Sequence, residues 1–180
     1  MHTTSSKSID FHFETLPSET QKAFNFLSAQ EWLKNSWYLA GGTALALHVG
    51  NRKSYDLDFF CPVFFPKAEP TFYGSIKVLA PIDIAVMKIV AISQRGKKRD
   101  FFDLYWCANN IESLENIIKR LPEQYPSIVH DFFHISKSLT YFVDAEEDSE
   151  PEIYFDTDWK KVKDFFKKEV PEILKRLIKL

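Results

Sequence analysis

The sequence lacks the features that mark secreted or membrane-embedded proteins. Its 180 residues include only two cysteines, Cys61 and Cys107, too few for a disulfide framework, which favours a reducing compartment. No run of about eighteen consecutive apolar residues occurs, so we expect no transmembrane span and no membrane partner. The first residues, MHTTSSKS, lack the apolar centre of a signal peptide. These absences together predict a cytoplasmic protein.

The sequence also lacks a large excess of charge of either sign. Its formal net charge of −2 excludes a protein that coats nucleic acid through general basicity, but it allows a local basic patch. Apolar residues make up 45% of the chain and aromatic residues 16%, which predicts a globular protein with a buried core. No internal repeat or domain boundary is visible. We expect one domain over residues 1–180, with a core at about 9–106 and a helical C-terminal part at about 107–180.

Hydrophobic periodicity and turn residues predict an α+β fold, with a small sheet early in the chain and helices behind and after it. Ser18 and Gln21 form a capping-box pattern for a helix that reaches Trp32. Thr43 is an N-cap candidate for a helix over 44–49, which Gly50 would end. An irregular connection is predicted around three prolines, and an acidic stretch is predicted to be a solvated loop: Pro62, Pro66 and Pro70, and 144–152. The predicted strands are 37–40, 56–60 and 75–79, and the further helices are 82–93, 101–108, 113–120, 127–138, 158–168 and 171–180.

Residues 38–60 combine features of a phosphate site and of a metal site. Gly41 and Gly42 follow a predicted strand and let the backbone approach a ligand closely. The helix after them presents its amide groups, and the Thr43 hydroxyl, at the end that favours phosphate. Asp56 and Asp58 lie two apart on a predicted strand and so share one face. Paired carboxylates bind hard cations such as Mg²⁺, which assist phosphoryl displacement.

A simpler interpretation of the same residues is a glycine turn followed by a half-exposed strand. Aspartate is disfavoured in strands, so the simpler interpretation does not explain why Asp56 and Asp58 both occur in one predicted strand. Their occurrence together with the glycine pair, with thirteen residues between Gly42 and Asp56, favours the metal site.

Residues 83–106 supply cations and two more acids. Lys88 is the one charge inside a helix that is apolar nearly all round, so it either pairs with a carboxylate or phosphate, or reaches solvent past its neighbours. Asp100 and Asp103 are explained most simply as a helix cap and a first-turn acid. Four cations within five residues form either a solvated loop or a patch for phosphates: Arg95, Lys97, Lys98 and Arg99.

These two segments resemble the signature segments of the AbiEii/AbiGii toxin-type nucleotidyltransferases, within the polymerase-beta-like superfamily. That family shows a Gly-Gly-Thr-Ala-Leu turn and helix, and an Arg-x-Ser-x-Asp-Leu-Asp strand. A Met-Lys helix then leads to Arg-Gly-x-Lys-Lys/Arg-Asp-Phe-x-Asp-Leu-Tyr. The segment 139–147 and Trp159 are also similar, so the resemblance covers most of 36–165. The matching residues are Gly41 to Leu45, Arg52, Ser54, Asp56, Asp58, Met87, Lys88 and Arg95 through Tyr105.

The resemblance implies a small mixed sheet of the nucleotidyltransferase type and a nucleoside triphosphate bound with Mg²⁺ or Mn²⁺. It implies transfer of a nucleotidyl group to an RNA or a protein. Relatives act as toxins of toxin–antitoxin or phage-defence (abortive infection) pairs, and some modify tRNA, so tRNA or another RNA and a cognate antitoxin are expected partners.

The resemblance also implies roles for individual residues. Asp56 and Asp58 would be metal ligands and catalytic residues. Three further residues would complete the catalytic group: Lys88, Asp100 and Asp103. The nucleotide-binding residues would be Gly41, Gly42, Thr43, Arg52, Ser54, Arg95 and Lys98.

The chain departs from the family pattern in one place. Twenty-four residues separate Asp58 from Asp83, where family members usually have several dozen, including a strand that often bears a third acid. Glu69 is the only acid in this gap. Three alternatives follow: two carboxylates suffice, or Asp100 or Asp103 completes the site, or the chain is a shortened module that binds a nucleotide or a partner without catalysis.

Overall fold

The computed structural model describes residues 10–61 and 66–178. The polar N-terminal residues 1–8, Pro62 and the last two residues of the predicted C-terminal helix lie outside these ranges. Within them, no helix is both long enough and apolar enough to cross a membrane. After a 3-10 helix (Phe13–Thr15) the elements are α1 (Ser18–Ser28), α2 (Leu33–Ser36), β1 (Tyr38–Ala40), α3 (Gly41–Val49), β2 (Asp58–Phe60), β3 (Thr71–Tyr73), β4 (Ile76–Val78), α4 (Pro81–Arg95), α5 (Lys98–Asn110), α6 (Leu114–Lys119), α7 (Leu121–Gln124), α8 (Phe132–Leu139), α9 (Val143–Glu146) and α10 (Trp159–Leu177).

The sheet is small and mixed. Its strand order is β2-β1-β4-β3, with β1 antiparallel to β2 and parallel to β4, and β3 antiparallel to β4. In this register Ala40 lies opposite Asp58, and Tyr38 lies opposite Phe60. The α+β class and the small mixed sheet confirm the predicted fold.

One face of the sheet packs into the core. Leu39, Ile76 and Val78 are fully buried, whereas Tyr38 and Lys77 on the opposite face keep part of their surface exposed, as the two-residue period of a strand requires. The nearly continuous apolar sequence of α4 is buried between neighbouring helices. This packing holds the start of α3, strand β2 and helix α4 around one cleft.

The predicted helix caps are wrong in three places. Ser18 is the first residue of α1 and makes no cap, and α1 ends at Ser28 rather than Trp32. Thr43 lies inside α3, which begins at Gly41 and has no side-chain cap. Asp100 is buried in the first turn of α5, where Lys97 occupies the N-cap position. For Thr43 and Asp100, contacts with residues farther along the chain outweigh the local capping preference, since Thr43 bonds Ser54 and Asp56 and Asp100 accepts from Lys88.

Other element boundaries also differ from the predictions. Strand β2 begins at Asp58, so Asp56 precedes it, and strand β3 was not predicted. The two predicted C-terminal helices are one helix, α10, which continues through Pro171 because its apolar side is buried along the whole length, including Phe166 and Ile173. The acidic stretch 144–152 includes the end of α9 as well as a loop.

Candidate functional site

A cleft of about 600 Å³, its open mouth included, lies between the start of α3, strand β2 and helix α4. Its acidic wall consists of Asp56 and Asp58, on β2 and the segment before it, and its basic wall consists of Arg52, Lys88 and Arg95. The lining residues are Gly41, Gly42, Arg52, Ser54, Asp56, Asp58, Phe60, Met87, Lys88, Ala91, Arg95 and Arg99.

The acidic wall depends on close contact between β2 and the start of α3. Because Asp58 pairs with Ala40, its side chain lies beside Gly41, the next residue in the chain. A Cβ atom on Gly41 would stand 2.9 Å from Asp58 Oδ2, and Gly41 has a φ of 69°, a conformation that favours glycine. Gly41 is therefore required for Asp58 to take this position.

Thr43 holds the segment that leads to the acids. Its hydroxyl donates to the backbone carbonyl of Asp56 and lies 2.8 Å from Ser54 Oγ. Thr43 is buried behind the cleft rather than in its wall, whereas the Asp56 side chain is 66% exposed. Thr43 thus positions Asp56 and cannot itself contact a ligand in the cleft.

The acidic wall offers two hard oxygen donors for a divalent cation. Within residues 10–61 and 66–178, no three His, Cys, Asp or Glu side chains are grouped so that they could hold a metal. Two carboxylates suit Mg²⁺, which commonly takes one or two from the protein and fills its other positions with water and substrate phosphate. Asp56 and Asp58 fit such a cation, and Arg99 Nη1, 3.7 Å from Asp56 Oδ2, adds positive charge at the same wall.

The basic wall is built over a buried cluster of ions. Lys88, on α4, is 4% exposed, and its Nζ lies 2.7 Å from both Asp100 Oδ1 and Asp103 Oδ2. Arg52 donates from Nε and Nη2 to the two carboxylate oxygens of Asp103, at 2.8 and 2.9 Å. Lys88 therefore pairs with carboxylates, and the alternative that it extends to solvent is wrong.

The charges of this cluster stabilise one another. Burial opposes ionisation of Asp103 most strongly, but the neighbouring Arg52 and Lys88 outweigh burial and hold its pKa well below the usual range. Burial also opposes ionisation of Arg52 and would lower its pKa, but the neighbouring Asp103 carboxylate outweighs burial and raises that pKa. Arg95 Nη2 also lies 3.3 Å from Asp100 Oδ2. Three cations therefore face two buried acids, which leaves an excess of positive charge at this wall.

Gly42 makes room for Arg52. A Cβ atom at this position would stand 2.1 Å from Arg52 Nη2 and 3.4 Å from Ser54 Oγ. Arg52 is 4% exposed and is held by Asp103, so it has little freedom to move away. The two glycines thus differ in role: Gly41 leaves space for the Asp58 side chain, and Gly42 leaves space for the Arg52 side chain.

Most of the residues predicted from the sequence lie together, but four do not line the cleft. Asp100 and Asp103 are fully buried beneath Lys88, and Thr43 lies behind Asp56. Lys98 is elsewhere: its Nζ donates to the Asp148 carbonyl at 2.7 Å and to Glu150 at 3.1 Å, and it lies 5.5 Å from the ring centre of Trp159. The predicted residues that do line the cleft are Gly41, Gly42, Arg52, Ser54, Asp56, Asp58, Lys88 and Arg95.

The sequence analysis gave no individual site role to four lining residues, Phe60, Met87, Ala91 and Arg99, although it named Arg99 within the possible patch for phosphates. Two of them had a usable signal. Phe60 is two residues beyond Asp58 on a predicted strand and so shares its face, and Ala91 is three residues beyond Lys88 on a predicted helix. For Arg99, only the packing of α5 shows that it faces the cleft and its neighbour Lys98 does not.

The comparison with known proteins agrees with this geometry. The profile of the family described as "Nucleotidyl transferase AbiEii toxin, Type IV TA system" matches residues 25–76 and 68–176. The chain is also similar to "Uncharacterized protein aq_aa25" of Aquifex aeolicus (strain VF5), with 33% identity over 192 residues, covering 78% of this chain and 89% of that protein. No solved structure shows a significant match.

The two matched segments together contain the residues of both the acidic wall and the basic wall. The alignment with the Aquifex protein extends over 192 residues, more than the 180 of this chain, so that protein has residues that this chain lacks. The family profile nevertheless covers most of the chain. The chain therefore belongs to the AbiEii family of nucleotidyl transferase toxins of type IV toxin–antitoxin systems.

Proposed function

We propose that the cleft is the active site of a Mg²⁺-dependent nucleotidyltransferase, which transfers a nucleotidyl group from a nucleoside triphosphate to an RNA or a protein. The observation that carries the proposal is the position of Asp56, Asp58 and Lys88 around one open cleft beside Gly41 and Gly42. Acidic and basic side chains that line one cleft suit a reaction in which a metal and a polyphosphate must bind side by side.

Asp56 and Asp58 would hold the metal through their carboxylate oxygens. A bound divalent cation would neutralise phosphate charge and so assist displacement at phosphorus. Gly41 contributes by allowing Asp58 its place, and the start of α3 turns the positive end of the helix dipole toward the cleft.

Lys88 would contact the triphosphate. An ammonium group has three N–H bonds. Lys88 donates one of them to Asp100 Oδ1, and its Nζ also lies 2.7 Å from Asp103 Oδ2, which leaves at least one N–H for a phosphate oxygen. Holding the group in place before the substrate arrives lowers the cost of ordering it later. In this proposal Asp100 and Asp103 act through Lys88 and Arg52 and do not touch substrate.

Arg95 and Arg99 would attract the triphosphate at the open side of the cleft. Both side chains keep about half of their surface exposed, 52% for Arg95 and 48% for Arg99, and both line the cleft. Guanidinium groups bind phosphate oxygens through paired hydrogen bonds. Within the cell, a toxin of this kind would act in the cytoplasm, with tRNA or another RNA as acceptor and a cognate antitoxin to restrain it.

Label transfer tests the proposal. The purified chain is incubated with Mg²⁺ and each of the four α-³²P nucleoside triphosphates in turn, with total RNA or the chain itself as acceptor. We expect label from the wild type and none from the Asp56→Asn/Asp58→Asn variant, whose fold circular dichroism would verify. Label from neither, with both proteins folded, would contradict an enzyme.

That negative result would support a second candidate, a shortened module that binds a nucleotide or a partner without catalysis. Two observations favour it. Among the residues that the structure describes, only two acidic side chains line the cleft, and the chain is shorter than its alignment with the Aquifex relative. Mg²⁺-dependent nucleotide binding without transfer would identify such a module.

A further inference from the structure

A second groove adjoins the cleft, and its lining is mainly apolar. Phe60, Met87, Ala91 and Arg95 line both, so the two form one continuous depression. Beyond these shared residues the groove continues along α4 to the segment that follows α7, where it is lined by Val90, Gln94, Tyr125 and Ile128. A charged cleft and an apolar groove therefore meet without a barrier.

Helix α4 contributes to both through neighbouring stripes of side chains. Lys88, Ala91 and Arg95 are three to four residues apart and line the cleft. Met87 and Val90, displaced by one position, face the groove on the adjacent stripe. On this helix Lys88 therefore faces the cleft alone and Val90 faces the groove alone, whereas Met87, Ala91 and Arg95 line both.

Strand β2 also contributes residues to both the cleft and the groove. Asp58 and Phe60 are two residues apart on β2, so both point to the same side of the sheet. Asp58 lines the cleft, whereas Phe60 lies where cleft and groove meet and keeps 37% of its surface exposed. An aromatic ring is therefore available to a ligand directly beside the acidic wall.

We infer that the groove binds the nucleobase of the triphosphate, with Phe60 and Met87 in contact with the base. This inference rests on the proposed function. A nucleoside triphosphate carries a polyanion at one end and a flat, largely apolar base at the other, joined by a ribose. The protein offers matching surfaces in the same order: the cations of the cleft for the polyphosphate, the shared residues for the ribose, and the apolar groove for the base. Because the two spaces are continuous, one molecule can occupy both.

The test compares a triphosphate that carries a nucleoside with one that does not. Binding of inorganic tripolyphosphate and of α,β-methylene nucleoside triphosphates, which resist transfer, is measured calorimetrically with Mg²⁺. We expect the wild type to bind at least one of the nucleotides about tenfold more tightly than tripolyphosphate, since stacking of a base on an aromatic ring contributes about 1–3 kcal/mol and about 1.4 kcal/mol is tenfold. Phe60→Ala should remove most of this preference and leave tripolyphosphate affinity unchanged, whereas Phe60→Tyr should retain it.

Phe72→Ala is the matched control. Phe72 is 63% exposed on the same side of the sheet, but on β3, at the opposite edge from β2. The Phe72→Ala variant should bind both tripolyphosphate and the nucleotide as the wild type does. The inference is overturned if Phe60→Ala weakens both ligands equally or neither, or if it leaves nucleotide affinity intact and lowers only the affinity for an RNA acceptor. If the wild type binds neither tripolyphosphate nor nucleotide, the proposed function itself fails.

Discussion

Arg52 and Asp103 are 51 residues apart in the chain, and they meet in a two-pronged ion pair beneath the cleft, at 2.8 and 2.9 Å. Asn51 donates to the same carboxylate at 2.9 Å, and Lys88 approaches it at 2.7 Å. The pair joins the connection between α3 and β2 to helix α5. Asp103 thus holds Arg52 and Lys88 beneath the cleft, and its removal should affect both stability and ligand binding.

We expect Asp103→Ala to lower the free energy of unfolding by about 3–5 kcal/mol, because it leaves Arg52 buried without its partner. Urea denaturation measures the change. Asp56→Ala, which removes an exposed carboxylate 3.7 Å from Arg99, should cost less than about 1 kcal/mol. Equal costs for the two variants would contradict the structural role of Asp103.

The low pKa of Asp103 predicts how stability depends on pH. In the unfolded chain its pKa is about 3.9, and in the folded protein it is lower, so its contribution is complete above about pH 5. Below about pH 4 the unfolded chain takes up a proton that the folded protein does not, and the contribution declines. The difference in unfolding free energy between wild type and Asp103→Asn should be constant from pH 7 to pH 5 and narrow below about pH 4. A difference that widens on acidification would refute this.

Gly42→Ala should weaken tripolyphosphate binding, because its Cβ would displace Arg52 from Asp103. We also expect a loss of stability of about 1–3 kcal/mol from overpacking. Gly74→Ala is the control, since its Cβ would stand 2.5 Å from the Ser28 carbonyl oxygen and Gly74, in the turn between β3 and β4, does not line the cleft. It should lose stability without a change in binding, so a parallel loss of binding in both variants would count against the role of Gly42.

Arg99→Gln should weaken tripolyphosphate binding about tenfold or more, as expected for a hydrogen bond between charged groups worth about 1.5–3 kcal/mol. Lys98→Gln removes the same charge one residue away, but Lys98 faces Asp148 and Glu150, so binding should be unchanged. Calorimetric titration at low salt distinguishes them. If Lys98→Gln weakened binding and Arg99→Gln did not, Lys98 would again be assigned as a nucleotide-binding residue.

The sequence predicts the parts of the candidate site that depend on short spacings. The α+β fold follows from hydrophobic periodicity, and the glycine pair with Asp56 and Asp58 follows from the turn and strand geometry of one segment. The apolar helix around Lys88 singles out that residue, and the resemblance to the family adds Arg52. The structure places these residues around one cleft.

What could not be predicted depends on partners far along the chain. Thr43 satisfies the local pattern of an N-cap, but its hydroxyl bonds Ser54 and Asp56, 11 and 13 residues later. Adjacent positions on a helix point about 100° apart, so the packing of α5 decides which of Lys98 and Arg99 faces the cleft. Sequence spacing contains no information about that rotation.

Single-turnover transfer from a labelled triphosphate tests the central claim most directly. The rate of the wild type is compared with that of Asp58→Asn, and Glu69→Gln serves as the control because Glu69 is an exposed acid that does not line the cleft. We predict that Asp58→Asn lowers the rate at least about a hundredfold, as loss of transition-state charge stabilisation does, and that Glu69→Gln leaves it unchanged. Transfer by Asp58→Asn at the wild-type rate would contradict an active site built on Asp56 and Asp58.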